Sequence, residues 1–438
     1  VTTRPALGPV PRRSRRRLAA VGVAAVAITA ALTATAHPAE RGGTGPGRGV
    51  AGVDGVVTPP PVSPPGSPDY RFLSSPDFMN GDIADLRLSP RWKPGMPNSW
   101  NASYAQTVAT VMDTFAAERP DDVLVAGDLV NGHWGQDASG SGVFGPVGND
   151  RQRKAALKRA ADFYYTQWRA RFTQRGLDVH PSIGDHEIGD NPWHGDTRRS
   201  RFHRAMVPTY KARFAETIIR PGGYRMHPSG PAADTAYATY LNPEVLLVSV
   251  DQFQSVRGDV RLRLDPQQLR WLDHVLGAAE ARGTDWVIVQ GHVPVALPVR
   301  AWGSSQLAYE GGTDSSFWQT MAKHHVDVYL NGEVHDTTLI HEDGIAQISH
   351  GGILGANSTV GGTNYVLGEV FGDTLWLRDN RFVVASADRS AKLWQTTPQG
   401  APVIAKVLEP DPPVIGEVVL SADNQVLYRD GQFLPYDP

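Results

Sequence analysis

The sequence predicts an α/β fold from two observations. Short β-branched or apolar runs end abruptly in polar, often glycine-led turns, and segments with helical spacing lie between them. Continuous apolar runs of this length are strands buried on both faces. When such strands alternate with helices, functional residues collect at the strands' carboxyl ends.

The strand-like runs come in order. Residues 71–75 lead into Pro76-Asp77-Phe78-Met79-Asn80, and residues 122–126 lead into Gly127-Asp128-Leu129-Val130-Asn131. Residues 177–183 lead into Gly184-Asp185-His186-Glu187. Residues 286–290 lead into Gly291-His292-Val293-Pro294, and residues 326–330 into Asn331-Gly332-Glu333-Val334-His335. Helical spacing appears over 102–119, with Val108, Val111, Met112 and Phe115 on one face and Pro120 as the stop. It recurs over 150–175 and over 266–282, where Leu269, Leu272, Val275 and Leu276 repeat. After Asp373 the apolar and polar residues alternate around turns at Asp423-Asn424 and Asp430-Gly431, which predicts a small C-terminal β extension over 374–438.

The 438 residues suit two or three units, and 41% apolar against 20% charged residues supports a packed core. No cysteine is present, so disulfides, thiolate zinc sites and cysteine nucleophiles are excluded. Residues 1–36 hold six arginines and no acid, then an Ala/Val/Leu-rich stretch from Leu18 that ends in Ala34-Thr35-Ala36. That order predicts a secretory signal peptide, with an uncleaved membrane anchor as the other reading. The Ser14-Arg15-Arg16-Arg17-Leu18 string loosely resembles a twin-arginine export signal. In residues 37–68, 16 of 32 are Gly or Pro, the composition of an extended tether that buries no core. The expected location is extracytoplasmic, with membrane contact only through an uncleaved N-terminus. The formal charge of −3 averages unlike parts: without residues 1–36, 36 basic residues face 45 acidic ones. A net charge near −9 argues against general nucleic-acid binding.

The strand-end residues carry the chemistry. Asp77, Asp128, Asp185, His292, Glu333 and His335 lie at or just past five successive strand tips. A single Asp there is usually a turn former, but five such tips in series point to a ligand set. Imidazoles with carboxylates suit Mn, Fe, Zn or Mg, and more than four ligands suggest two cations. A pair of cations can clamp both sides of a phosphoryl displacement.

The order D…GD…GD-H-E…GH…G-x-V-H resembles the calcineurin-like metallophosphoesterases, a group that includes the purple acid phosphatases. The family pattern is D-x-H or D-x-G, then GD, GNH(D/E), GH and GHxH. The resemblance covers residues 69–373 and implies a four-layer α/β/β/α sandwich, two mixed sheets flanked by helices. It implies Asp77 and His335 on one divalent cation, Asp128 bridging, and Asp185, His292 and Glu333 on the other. It further implies that His186 neutralises or protonates the leaving oxygen, while a metal-bridging hydroxide attacks a phosphate mono- or diester. Met79 stands where some members carry a histidine, and Asn80, Asn131 or His133 is the nearby residue that could replace it. Asp185 replaces the usual Asn, and Glu333 the first His of the last motif. Both changes favour harder cations, Mn²⁺, Mg²⁺ or Ca²⁺, over Zn²⁺. Two alternatives share the pattern: a non-catalytic extracellular binding module on the same fold, and a metallohydrolase acting on a non-phosphate substrate. Trp193 and His194, soon after His186, are candidates for the pocket wall, with a simple ordered turn as the equal alternative.

Overall fold

The structure is a computed structural model. It describes residues 66–436 except 78–81, 83, 97, 99, 101, 137–141, 301–305, 353–362, 383, 387–404 and 408–410, and leaves out the side chains of 103–104, 384–386 and 405–407. The expected signal segment, residues 37–65 of the tether, Met79 and Asn80 lie outside the described residues.

The first strands are Tyr70–Ser74 (β1), Asp122–Val125 (β2) and Val179–Pro181 (β3), followed by Tyr237–Asn242 (β4) and Val245–Ser249 (β5). Phe253–Val256 (β6) and Asp259–Leu262 (β7) form a small hairpin, and Trp286–Gln290 (β8) and Val328–Asn331 (β9) come next. Thr338–Glu342 (β10), Ile345–Ser349 (β11), Asn364–Phe371 (β12) and Thr374–Arg381 (β13) follow. Val384–Ser386 (β14) pairs with Ala405–Val407 (β15), and the chain continues through Val414–Ser421 (β16) and Val426–Arg429 (β17). The longer helices are Ala102–Ala117 (α1), Asp150–Thr173 (α2), Arg198–Phe214 (α3), Pro266–Arg282 (α4) and Ser316–Lys323 (α5).

Helix boundaries follow local chemistry. Asn149 caps α2 by accepting from the Gln152 amide. Asp265 caps α4 by accepting from the amides of Gln267 and Gln268, with Pro266 in the first turn where its missing N–H costs nothing. Gly283 ends α4 in the left-handed region at φ 75°.

Two mixed sheets result, the α/β architecture expected. The first runs β17-β16-β13-β12-β1-β2-β3 and the second β10-β11-β9-β8-β5-β4. In the first sheet β1, β2 and β3 are parallel neighbours, and in the second β5, β8, β9 and β11 are parallel. The sheets meet through one apolar cluster that includes Phe72, Leu124, Leu247, Ile288 and Leu330, and through Gln290 Nε2 donating to the His180 carbonyl across 2.9 Å. The 373/374 boundary falls in the turn of the β12–β13 hairpin. Strands β13, β16 and β17 therefore continue the first sheet rather than stand beside it. Among the described residues, no helix is long and apolar enough to cross a membrane.

Candidate metal centre

The parallel order of β1, β2 and β3 brings Asp77, Asp128 and Asp185 to one end of the first sheet, and β8 and β9 bring His292, Glu333 and His335 to the same place from the second. The backbone turns sharply at these tips. Asp77, Asp128, Glu333 and His335 all have positive φ, between 57° and 64°. That conformation costs a non-glycine residue on the order of 1–3 kcal/mol and concentrates at functional sites. Gly184 leaves room for the neighbouring carboxylate: a Cβ there would sit 2.3 Å from Asp128 Oδ1. At Gly332 a Cβ would sit 2.2 Å from Asp77 Oδ2.

His292 is the hub. Its Nδ1–H donates to the Ala126 carbonyl across 2.8 Å, which fixes the ring and directs Nε2 at the acids. Nε2 lies 3.1 Å from Asp185 Oδ1, 3.3 Å from Asp128 Oδ1 and 3.7 Å from Glu333 Oε2. His335 Nε2 lies 3.2 Å from Asp77 Oδ1. Donor atoms of Asp77, Asp128 and His292 fall within 4.8 Å of one another, as do those of Asp185, His292 and Glu333 and those of Asp128, Asp185 and His186. All six residues read from the strand tips are thus brought together, and all are buried.

The electrostatics fit a cation-binding site. Four buried carboxylates share this space, an expensive arrangement unless cations compensate it. Burial and then the charge of Asp185 push the Asp128 carboxyl well above its ordinary range. Asp77 Oδ2 is buried with no hydrogen-bond partner, and Asp185 Oδ1 and His292 Nε2 are buried with only each other, at 3.1 Å, and the neighbouring acids to face. These donor atoms, with the carboxylate and imidazole set around them, fit divalent cations.

His186 stands at the open side. Its Nδ1–H donates to the Asn131 carbonyl across 2.7 Å, its backbone N–H donates to Asp128 Oδ1 across 3.2 Å, and its Nε2 lies 3.8 Å from Asp128 Oδ2. Burial alone would lower its pKa, but the carboxylates of Asp190 and Asp185 outweigh burial and raise it.

Of the residues considered for the missing histidine, Asn131 holds His186 through its carbonyl, and His133 groups with His186 and Asp190. Trp193 is buried against Phe253, so it belongs to the core rather than to a pocket wall. His194 is exposed and pairs with Asp259 at 3.0 Å. Two contributors went unassigned from sequence. Glu187, fully buried, accepts from the amides of Asp128, Leu129 and Gly184 at 2.8–2.9 Å and so ties the β2 and β3 tips together. Burial pushes its carboxyl up to about 7. Its place in the Asp-His-Glu block was the available signal. Asp190 lies in a loop with no motif of its own.

Residues 81–336 match the calcineurin-like phosphoesterases, and the chain belongs to that family. It is a metal-dependent phosphoric ester hydrolase by class, and the family implies a dinuclear metal centre. Similar solved structures include a dimetal phosphatase from Danio rerio (15% identity, TM-score 0.43, 72% of this chain and 96% of that one). Others are PhoD (15% identity, TM-score 0.47, 86% and 74%) and GAP50, the anchor in the inner membrane complex of Plasmodium (11% identity, TM-score 0.37, 71% and 84%). No curated protein matches the chain.

Proposed function

We propose that this protein hydrolyses phosphate mono- or diesters outside the cytoplasm, using the strand-tip cluster as a dinuclear metal centre and His186 as the leaving-group acid. The observation that carries the assignment is the convergence of buried donor atoms of Asp77, Asp128, Asp185, His292 and Glu333 within 4.8 Å groups, Asp77 Oδ2 among them with no hydrogen bond at all. Asp77 and His335 would hold one cation, Asp185, His292 and Glu333 the other, and Asp128 both. Such cations supply Lewis-acid activation of the phosphoryl group and of the attacking water. Four carboxylates with two imidazoles favour Mn²⁺, Mg²⁺ or Ca²⁺.

The protein's own groups do the rest. The Ala126 carbonyl and Glu187 hold the ligand turns in place. The Asn131 carbonyl accepts the hydrogen bond of His186 Nδ1–H, so Nε2 is the nitrogen that carries the mobile proton toward the leaving oxygen. Nearby acids favour the imidazolium that can give it.

The test is a substitution pair in Mn²⁺-loaded protein acting on an aryl phosphate ester. Asp128→Asn removes a shared ligand charge and is expected to abolish turnover. His186→Ala is expected to cost about 10²–10⁴-fold in kcat, the usual worth of a positioned acid. Unchanged kcat in both variants would refute these roles. Export is supported by the basic and apolar order of residues 1–36. Recovery of the protein outside the membrane with its N-terminus trimmed near Ala36 is the expected result, and retention in the cytoplasm would contradict it.

A further inference from the structure

Beside the strand-tip cluster lies a second group of donors. Ring nitrogens of His133 and His186 and a carboxylate oxygen of Asp190 all fall within 4.8 Å of one another. His133 Nε2 is 2.5 Å from Asp190 Oδ2, and the two imidazole rings lie 5.6 Å apart with a 30° tilt. All three side chains are partly open, His133 at 33%, His186 at 17% and Asp190 at 15% exposure.

Backbone hydrogen bonds and close packing set the arms that carry these residues. A 3₁₀ turn over His186–Ile188 separates His186 from Asp190, and the Asp190 amide donates back to the Asp185 carbonyl across 2.9 Å. Gly189, at φ 94°, packs so closely on Tyr210 that a Cβ would meet its ring at 2.7 Å. The same Tyr210 donates its hydroxyl to the carbonyls of Gly132 and Trp134, on either side of His133. One buried tyrosine therefore sets both arms.

We propose that His133, His186 and Asp190 form a third, zinc-selective cation site whose occupation silences the enzyme. The chemistry of the donors distinguishes it from the main centre. Two imidazoles and one carboxylate, with an open position for water, are the three-ligand set of an accessible zinc site. The main centre is carboxylate-rich and prefers harder ions. A cation here replaces the direct His133–Asp190 contact. Arg199 Nη2 lies 3.1 Å from Asp190 Oδ2 and 3.2 Å from the Asn191 carbonyl. A carboxylate has lone pairs for both a guanidinium and a metal, so Arg199 competes without closing the site. Zinc on His186 removes the proton carrier, so inhibition rests on the phosphoesterase reading, whereas the binding does not.

The experiment uses the full chain loaded with Mn²⁺ and dialysed against excess Zn²⁺, with total bound metal counted by elemental analysis. The wild type is expected to hold three cations per chain. His133→Ala and the milder His133→Gln are expected to hold two, with the third zinc weakened about tenfold or more. A wild type and variants that hold the same number of cations would overturn the site. Turnover of an aryl phosphate is expected to fall with excess Zn²⁺ in the wild type and to need about tenfold more Zn²⁺ in His133→Ala. Equal sensitivity would overturn the inhibitory role, and the metal count decides the site even if no turnover is found.

Discussion

At the residue scale, the site depends as much on what holds the ligands as on the ligands. Glu187 takes three backbone N–H groups from two strand tips. Glu187→Gln keeps one acceptor and converts the other into a donor facing buried N–H groups. The expected loss is about 1–3 kcal/mol of stability and about 10–100-fold of metal affinity, measured by urea unfolding and metal titration. His350 offers a separate pH signature. It is fully buried, its Nε2 lies 2.9 Å from Ser74 Oγ, and burial lowers its pKa from 6.5 to about 4. The folded state then binds fewer protons than the unfolded one across that window. Stability present above pH 6.5 is therefore lost as pH falls toward 4, by up to about 3 kcal/mol at 1.36 kcal/mol per unit. His350→Gln lacks this loss, so the stability gap between wild type and variant shifts in the variant's favour over that range. A gap independent of pH would contradict the assignment.

At the element scale, the strand tips were the legible part. The runs before Asp77, Asp128, Asp185, His292 and Glu333 became β1, β2, β3, β8 and β9, because a buried parallel strand writes itself as a continuous apolar run. Three helices lay close to their predicted bounds, since capping residues such as Asn149 and Asp265 act locally. The β12–β13 hairpin was not legible as one unit. Its Gly372-Asp373 turn looks the same in sequence as a boundary between units, and the pairing of β13 with β16 spans a long stretch of chain. The Asp190–His133 contact was hidden for a similar reason, as it joins two loops 57 residues apart. Deleting residues 374–438 tests the sheet directly. It removes Leu375, Leu377, Val418, Leu420 and Phe433 from the core, at about 1.5–3 kcal/mol for each large apolar side chain. That sum reaches the 5–15 kcal/mol typical of a whole domain, so no cooperatively folded protein is expected by circular dichroism and thermal melting. A truncated chain with a sharp melt would show that the tail is an accessory.

At the scale of the whole molecule, two mixed sheets serve one purpose at one edge. Their parallel strands place acids from one sheet and histidines and a glutamate from the other around a shared point. That arrangement has two costs: burial first and the charge of Asp185 second push the Asp128 carboxyl above its ordinary range, and four of the strand-tip residues are held at positive φ. Cations that bind only the folded state would offset them and stabilise the fold by mass action. The most direct test is turnover of an aryl phosphate ester by the same protein stripped of metal and then resupplied with Mn²⁺. The predicted result is no turnover when stripped, and restored turnover, with a raised melting temperature, as two ions bind per chain. Undiminished turnover without metal, or none after two ions have bound, would contradict a dinuclear phosphoesterase.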